Sequence, residues 1–122
     1  MLNHRFILIV LSIFLLAACT EKISLALSPA ATAVVYDLGA KSERFISPNT
    51  EAHQRLVQWV AANREGWEPY LATPPALGVI VRAPEVDIQF VGTSAIVHTK
   101  QRVLSKKVAP AEYAFLLSQN GA

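Results

Sequence analysis

The sequence predicts an α+β fold: an antiparallel sheet made of a hairpin and a three- or four-stranded meander, with one long helix and a short carboxy-terminal helix packed on it. Short β-rich runs are joined by connections of about three residues, which only antiparallel neighbours allow. One segment has the apolar spacing of an amphipathic helix. The length of 122 residues suits a single domain.

The amino terminus has the composition of a secretory signal peptide. Arg5 precedes eleven residues, 6–16, in which Ser12 is the only polar side chain, and small residues follow up to Cys19. A basic start, a short apolar run and a small-residue cleavage site are typical of such signals. The alternative is an uncleaved membrane helix. Fourteen helical residues from Phe6 to Cys19 would reach only about 21 Å, whereas the apolar layer of a bilayer is about 30 Å thick.

The apolar run ends in Leu16-Ala17-Ala18-Cys19, which resembles the lipobox of bacterial lipoproteins. The resemblance implies that the thiol of Cys19 receives diacylglycerol, that the bond between Ala18 and Cys19 is cut, and that the new amino group is then acylated. In Gram-negative lipoproteins, Thr20 in place of Asp implies sorting to the outer membrane; a Gram-positive source would change that destination. We therefore expect an envelope protein anchored to the membrane through Cys19, at the outer membrane and facing the periplasm.

Cleavage after residue 18 leaves 104 residues with ten basic and nine acidic side chains. This near-neutral balance predicts no nucleic-acid partner, because such partners need a concentrated basic surface. We expect residues 1–18 to be the signal peptide, 19–32 the lipidated Cys and a tether, and 33–122 one small domain. The alternation of Ile23 and Leu25 with Leu27 leaves open a short strand that folds back onto the domain.

The first elements of the domain are predicted to be a hairpin and a helix. Two β-rich runs, 33–38 and 41–46, flank a connection that contains Gly39. The capping residues and Pro after position 46 predict a helix over 49–65, which Gly66 ends. The residues on its predicted buried face are Ala52, Leu56, Trp59, Val60 and Asn63.

The rest of the domain is predicted to be a meander and a final helix. The meander is preceded by an irregular aromatic segment, which would be an edge strand if it forms a strand, and by Pro74-Pro75. The expected strands are 77–82, 86–91, 95–100 and, as a fourth, 101–108. Asp87 and Gln89 alternate with apolar residues, which predicts one buried and one solvated face. Pro110 opens a short helix over 110–118.

The sequence contains no motif of a known catalytic or cofactor site: no Gly-x-Ser-x-Gly, no His-Glu-x-x-His, no phosphate loop and no dinucleotide fingerprint. The mature chain has two histidines, His53 and His98. A zinc site would require both to meet a carboxylate such as Asp87. We expect no catalytic residue, no metal and no cofactor, and histidines that are exposed or singly hydrogen-bonded.

Trp59, Trp67 and Tyr70 lie within twelve residues and have two interpretations. The first places all three in the core, with Trp59 on the buried helix face. The second makes Trp67 and Tyr70 a partly exposed binding patch for sugar rings or a partner protein, because aromatic rings concentrate binding energy.

A second cluster is basic and comprises Lys100, Arg102, Lys106 and Lys107. It is predicted either to be a charged edge strand that resists aggregation or to contact anionic lipid headgroups or another acidic envelope polymer.

From these features we expect a non-enzymatic envelope lipoprotein that binds or supports another envelope component, either a protein or a polymer. One alternative is an inhibitor or immunity-type protein that blocks a periplasmic or secreted enzyme. A weaker alternative is a small hydrolase that uses His53 or His98.

Overall fold

The computed structural model describes residues 23, 25–84 and 86–117. They contain one seven-stranded antiparallel sheet with the strand order β2-β1-β4-β5-β6-β7-β3. The strands are β1 Ala33–Asp37, β2 Ser42–Ile46, β3 Glu68–Pro69, β4 Val79–Ala83, β5 Val86–Val91, β6 Ser94–His98 and β7 Val103–Lys107. The helices are α1 Glu51–Ala62 and α2 Pro110–Tyr113, which continues as a 3-10 turn, Ala114–Leu116. The predicted α+β class is confirmed.

Strand pairing follows the predicted hairpin and meander. Strands β4, β5, β6 and β7 pair in chain order, so the meander has four strands. The hairpin of β1 and β2 joins the meander through β1, where Val35 lies opposite Val81 of β4. Short turns force the neighbours within the hairpin and within the meander to pair antiparallel, which is why these pairs were predicted, whereas no short turn joins β1 to β4.

The helix is shorter than predicted. The prediction was 49–65, whereas α1 spans 12 residues, Glu51–Ala62, so the expectation of one long helix is wrong. Asn49 has a φ of 68° and therefore lies outside the helix, and the hydroxyl of Thr50 caps the first turn. At the other end Asn63 leaves the helical conformation, and its side-chain amide donates to a carbonyl of the last turn at 2.8 Å.

The carboxy-terminal helix covers the end of the core. It begins at Pro110 as predicted, but the α-helical part ends at Tyr113; the predicted end, Ser118, lies outside the described residues. The hydroxyl of Tyr113 donates to the carbonyl of Gly92 at 2.8 Å, and the guanidinium of Arg44 donates to the carbonyl of Leu116. These two bonds join the last elements to the sheet.

The core lies between α1 and one face of the sheet. Leu56 of α1 and Ile88 of β5 have no exposed surface, and the rings of Trp59 and Phe90 pack edge to face with centroids 4.9 Å apart. Phe90 also stacks on Tyr113 at 5.1 Å. The amphipathic helix therefore buries its apolar face against the meander, as the spacing predicted.

The other face of the sheet is covered around Gln89, so the predicted solvated face of β5 is wrong there, whereas Asp87 on the same face is partly exposed. Gln89 is only 3% exposed, and its amide nitrogen donates to the carbonyls of Pro75 at 2.6 Å and Leu77 at 2.9 Å. These two residues belong to the segment 70–78, which we call the strap. Because β3 and β4 are separated by three strands, the strap must cross about 19 Å of sheet. It covers Gln89 on the way.

The segment before β1 packs on the domain. Leu25 is 4% exposed and Leu27 is 7% exposed, and both belong to the hydrophobic core. The ring Nε2 of the buried His53 lies 2.5 Å from the carbonyl oxygen of Ala31, so that His53 ties the segment to α1. The predicted tether is therefore wrong from Leu25 onwards. The alternative, in which the segment folds back onto the domain, agrees better with this packing, although the described residues of the segment form no strand.

Because Leu25 is buried, we expect Leu25→Ala to lower the free energy of unfolding by about 2 kcal/mol, the low end for a buried Leu because a peripheral site can partly collapse. Ala26, the exposed neighbour, provides the matched control: Ala26→Ser should leave stability unchanged. Urea unfolding followed by tryptophan fluorescence measures both. Equal stability of the two variants would restore the tether interpretation.

Candidate functional site: a cleft at one end of the sheet

A cleft of about 600 Å³ opens at one end of the sheet. It lies between the turn from β4 to β5 and the loop from β6 to β7, and the amino-terminal segment forms one wall. We call it the entry cleft, because the described chain enters the domain here. Its defining residues are Ile23, Leu25, Arg82, Asp87, His98 and the loop 99–102.

Thr99 fixes the shape of the loop 99–102. Its hydroxyl accepts the backbone N–H groups of Gln101 at 3.3 Å and Arg102 at 3.0 Å and donates to the carbonyl of Arg102 at 2.8 Å. The backbone N–H of Thr99 donates to the same carbonyl at 2.9 Å. Hydroxyl bonds of this kind stabilise tight turns. The loop therefore holds Lys100 at its tip, with the side chain exposed.

Among the described residues that line the entry cleft, basic side chains outnumber acidic ones. Arg82 and Asp87 lie opposite each other on β4 and β5 and form an ion pair with Nε and Oδ2 3.3 Å apart. Both side chains are partly exposed, so the pair contributes less than about 1 kcal/mol to stability. Lys100 and Arg102 add two further cations. With Arg82 they make three cations against one carboxylate among the described lining residues, which suits an anionic partner.

The amino-terminal segment supplies the apolar wall of the cleft. Ile23 and Leu25 line it together with Leu104 of β7. The backbone N–H of Ile23 donates to the carbonyl of Arg64 at 2.9 Å, just beyond the end of α1. The position where the chain enters the domain is thereby fixed.

The two histidines lie in different surroundings. His98 is exposed at the mouth of the entry cleft, whereas His53 is buried and bonded to Ala31. Within the described ranges, no group of three or more His, Cys, Asp and Glu side chains could hold a metal ion. The structure therefore does not bring the two histidines together in one site.

Trp67 is not part of an exposed binding patch. It has no exposed surface, its indole N–H donates to the carbonyl of Asn63 at 2.7 Å, and its ring meets Trp59 edge to face at 6.4 Å. Tyr70 is only half-buried. The interpretation of Trp67 and Tyr70 as a joint patch is therefore wrong. Trp67 fills the core at the end of α1, where the helix leaves a carbonyl to accept its N–H.

The four basic residues of the sequence cluster divide into two pairs. Lys100 and Arg102 belong to the loop at the entry cleft, while Lys106 and Lys107 lie about 16 Å further along, near the opposite end of β7. Lys106 donates through Nζ to the carbonyl of Glu65 at 2.8 Å. Strand β7 is also not a bare edge, because β3 pairs with its middle. The cluster is not one continuous surface.

Two leucines of the strap are exposed, which was not predicted from the sequence. Leu71 is 95% exposed and Leu77 is 59% exposed. The signal was available in the sequence: residues 69–81 contain no charged side chain, and two adjacent prolines interrupt them. Leu71 lies next to the residue that pairs with the start of β7, whereas Leu77 lies just before β4 at the opposite end of the sheet, so the two side chains do not form one continuous apolar patch.

Comparison of the chain with protein-family models, with curated proteins and with solved structures finds no match. The predicted lipobox, Leu16 to Cys19, and the cleavage site after Ala18 lie outside the described residues. Within the described part of the chain, each helix is too short or too polar to cross a bilayer.

Proposed function

We propose that the protein is a lipid-anchored, non-enzymatic binding module of the bacterial cell envelope, attached through Cys19 and located at the outer membrane, facing the periplasm. The observation that carries this proposal is Leu16-Ala17-Ala18-Cys19 at the end of a short apolar run. Leu, two small residues and Cys in this place resemble a lipobox, and Cys19 is the only cysteine of the chain. Acylation of both the thiol and the amino group would provide stable anchoring, which one chain alone does not.

The packing of the amino-terminal segment determines how such an anchor would hold the domain. Only three residues separate Cys19 from Ile23, which is hydrogen-bonded to the domain. An anchor at Cys19 would hold the domain close to the membrane instead of letting it diffuse on a long tether. The basic and apolar lining of the entry cleft suits binding of an anionic partner, such as another envelope component.

The strap favours a second candidate, an inhibitor or immunity-type protein. Its exposed leucines, Leu71 and Leu77, lie on a loop that Gln89 clamps to the sheet. A loop held in place by these hydrogen bonds loses less entropy on docking to another protein than a free loop would. Affinity capture of the lipidated protein separates the two candidates, because an inhibitor would capture one enzyme tightly and abolish its activity.

Lipidation is tested by Cys19→Ser. Since the thiol of Cys19 is the only one in the chain, this variant should accumulate as uncut precursor and incorporate no radioactive palmitate. The matched control, Thr20→Ser, leaves the thiol in place and should be processed and labelled like the parent protein. Continued labelling of the Cys19→Ser variant would overturn the proposal.

A further inference from the structure

The reach of the chain limits how far the domain can lie from a lipid on Cys19. Four residue steps separate Cys19 from Ile23, and they span at most about 14 Å when fully extended. Ile23 lines the entry cleft together with the loop 99–102. We call this side of the molecule the entry end: Ile23, the loop 99–102 and the adjoining residues Arg82 and Pro84. A bilayer that holds the lipid must lie next to it.

The loop 99–102 brings basic side chains to the entry end. Lys100 is exposed at the tip of the loop 99–102, with Arg102 beside it. Arg82 is paired with Asp87, so this pair adds no net charge. Anionic headgroups attract basic side chains within about one Debye length, 8–10 Å. The short reach from Cys19 brings the loop close to that range.

Exposed apolar side chains lie at the same end. The backbone N–H of Tyr70 donates to the carbonyl of Val103, the first residue of β7 after the loop 99–102, at 2.9 Å. The next residue, Leu71, is 95% exposed. Phe45, 67% exposed, lies one residue from the corresponding end of β2. Basic side chains with exposed apolar ones are typical of surfaces that bind the membrane interface.

We propose that the entry end binds anionic lipid headgroups, with Lys100 as the principal contact and Leu71 entering the interfacial layer. This proposal rests on the proposed lipidation of Cys19. It adds a fixed orientation: the opposite end of the sheet, with the turn between β5 and β6, points away from the membrane. The entry end is favoured over the strap as a whole, because Leu77 lies next to β4 at the opposite end.

The test uses the lipidated protein in vesicles and a single introduced thiol. Because Cys19 is the only cysteine and would carry lipid, Leu71→Cys and, at the opposite end, Thr93→Cys each offer one free thiol for a fluorophore. Both positions are exposed, so that neither label disturbs the core. Headgroup-nitroxide lipids report contact by quenching, in vesicles of phosphatidylglycerol with phosphatidylcholine and in vesicles of phosphatidylcholine alone.

We expect the nitroxide lipids to quench the fluorophore strongly at position 71 and weakly at position 93. This difference between the two positions should disappear in the neutral vesicles or at high salt. Lys100→Glu reverses one charge at the entry end. At about fivefold per charge it should weaken the docked state about 25-fold. Lys107→Glu makes the same change in net charge near the opposite end of β7 and should leave quenching at position 71 unchanged.

Three results would overturn the proposal, and they differ from one another. Equal quenching at positions 71 and 93 on a protein that carries palmitate would remove the orientation while leaving the anchor. A protein without palmitate would remove both. Shielding of position 71 in native membranes but not in protein-free vesicles would assign Leu71 to a protein partner.

Discussion

Trp67→Ala is expected to lower the free energy of unfolding by about 3–5 kcal/mol, the range for removing a buried large aromatic side chain. Trp67 has no exposed surface. Its ring packs against Trp59, and its N–H satisfies the carbonyl of Asn63 at the end of α1. The substitution would leave both a cavity and an unpaired carbonyl. Small domains are stable by only about 5–15 kcal/mol, so the loss would be a large share of the total.

Tyr70 provides the matched control for Trp67. It is half-buried, and its bond to Val103 uses the backbone N–H, which Tyr70→Ala retains. We expect that variant to lose about 1 kcal/mol or less, whereas Trp59→Ala should resemble Trp67→Ala. Urea unfolding followed by circular dichroism measures all three, because the tryptophan signal changes in two of them. A Trp67→Ala variant as stable as Tyr70→Ala would contradict the core assignment.

Pairing within the hairpin and within the meander was predictable because it depends on short-range features, whereas the long-range pairs β1 with β4 and β3 with β7 were not predicted. Turns of a few residues, such as the one around Gly92, leave antiparallel pairing as the only choice. The buried face of α1 was equally accessible, since the spacing of Leu56, Trp59 and Val60 marks it. The length of the helix was less predictable. Asn49 and Asn63, which sequence propensity admits at helix ends, lie outside it here.

The burial of Gln89 and that of Trp67 depend on long-range packing, which periodicity does not report. Gln89 alternates like a solvent-facing residue, yet the strap supplies two carbonyls that satisfy its amide. Trp67 follows the helix-ending Gly66 and belongs to no periodic face. In both cases a polar group of the side chain is satisfied by a backbone carbonyl brought from another element. Only the tertiary arrangement brings that carbonyl into place.

The candidate site was half predictable. The basic residues from Lys100 to Lys107 stand out in the sequence. Because the residues between them form the extended strand β7, however, the two pairs lie at opposite ends of that strand. The apolar wall of the entry cleft was hidden by the prediction of a tether. Ile23 and Leu25 alternate over too few residues to distinguish a flexible segment from one that packs on the domain.

Gly78→Ala is expected to destabilise the protein by about 2–5 kcal/mol. Gly78 ends the strap directly before β4 and has a φ of +81°, a conformation that costs other residues about 1–2 kcal/mol. A Cβ at this position would lie 2.1 Å from the carbonyl oxygen of Phe90. That oxygen belongs to the backbone of β5, which cannot rotate away. The strands must separate, which adds about 1–3 kcal/mol, typical of overpacking.

Gly92 separates the two causes in the Gly78 prediction. Its φ of +57° imposes the same kind of backbone strain, but a Cβ there would meet no atom within 4 Å. Gly92→Ala should therefore cost only the conformational strain, and the difference between the two variants measures the clash with Phe90. Thermal unfolding of both variants gives that difference. If Gly78→Ala and Gly92→Ala are equally stable, β4 and β5 do not approach as closely at Gly78 as the register of Val79 with Phe90 requires.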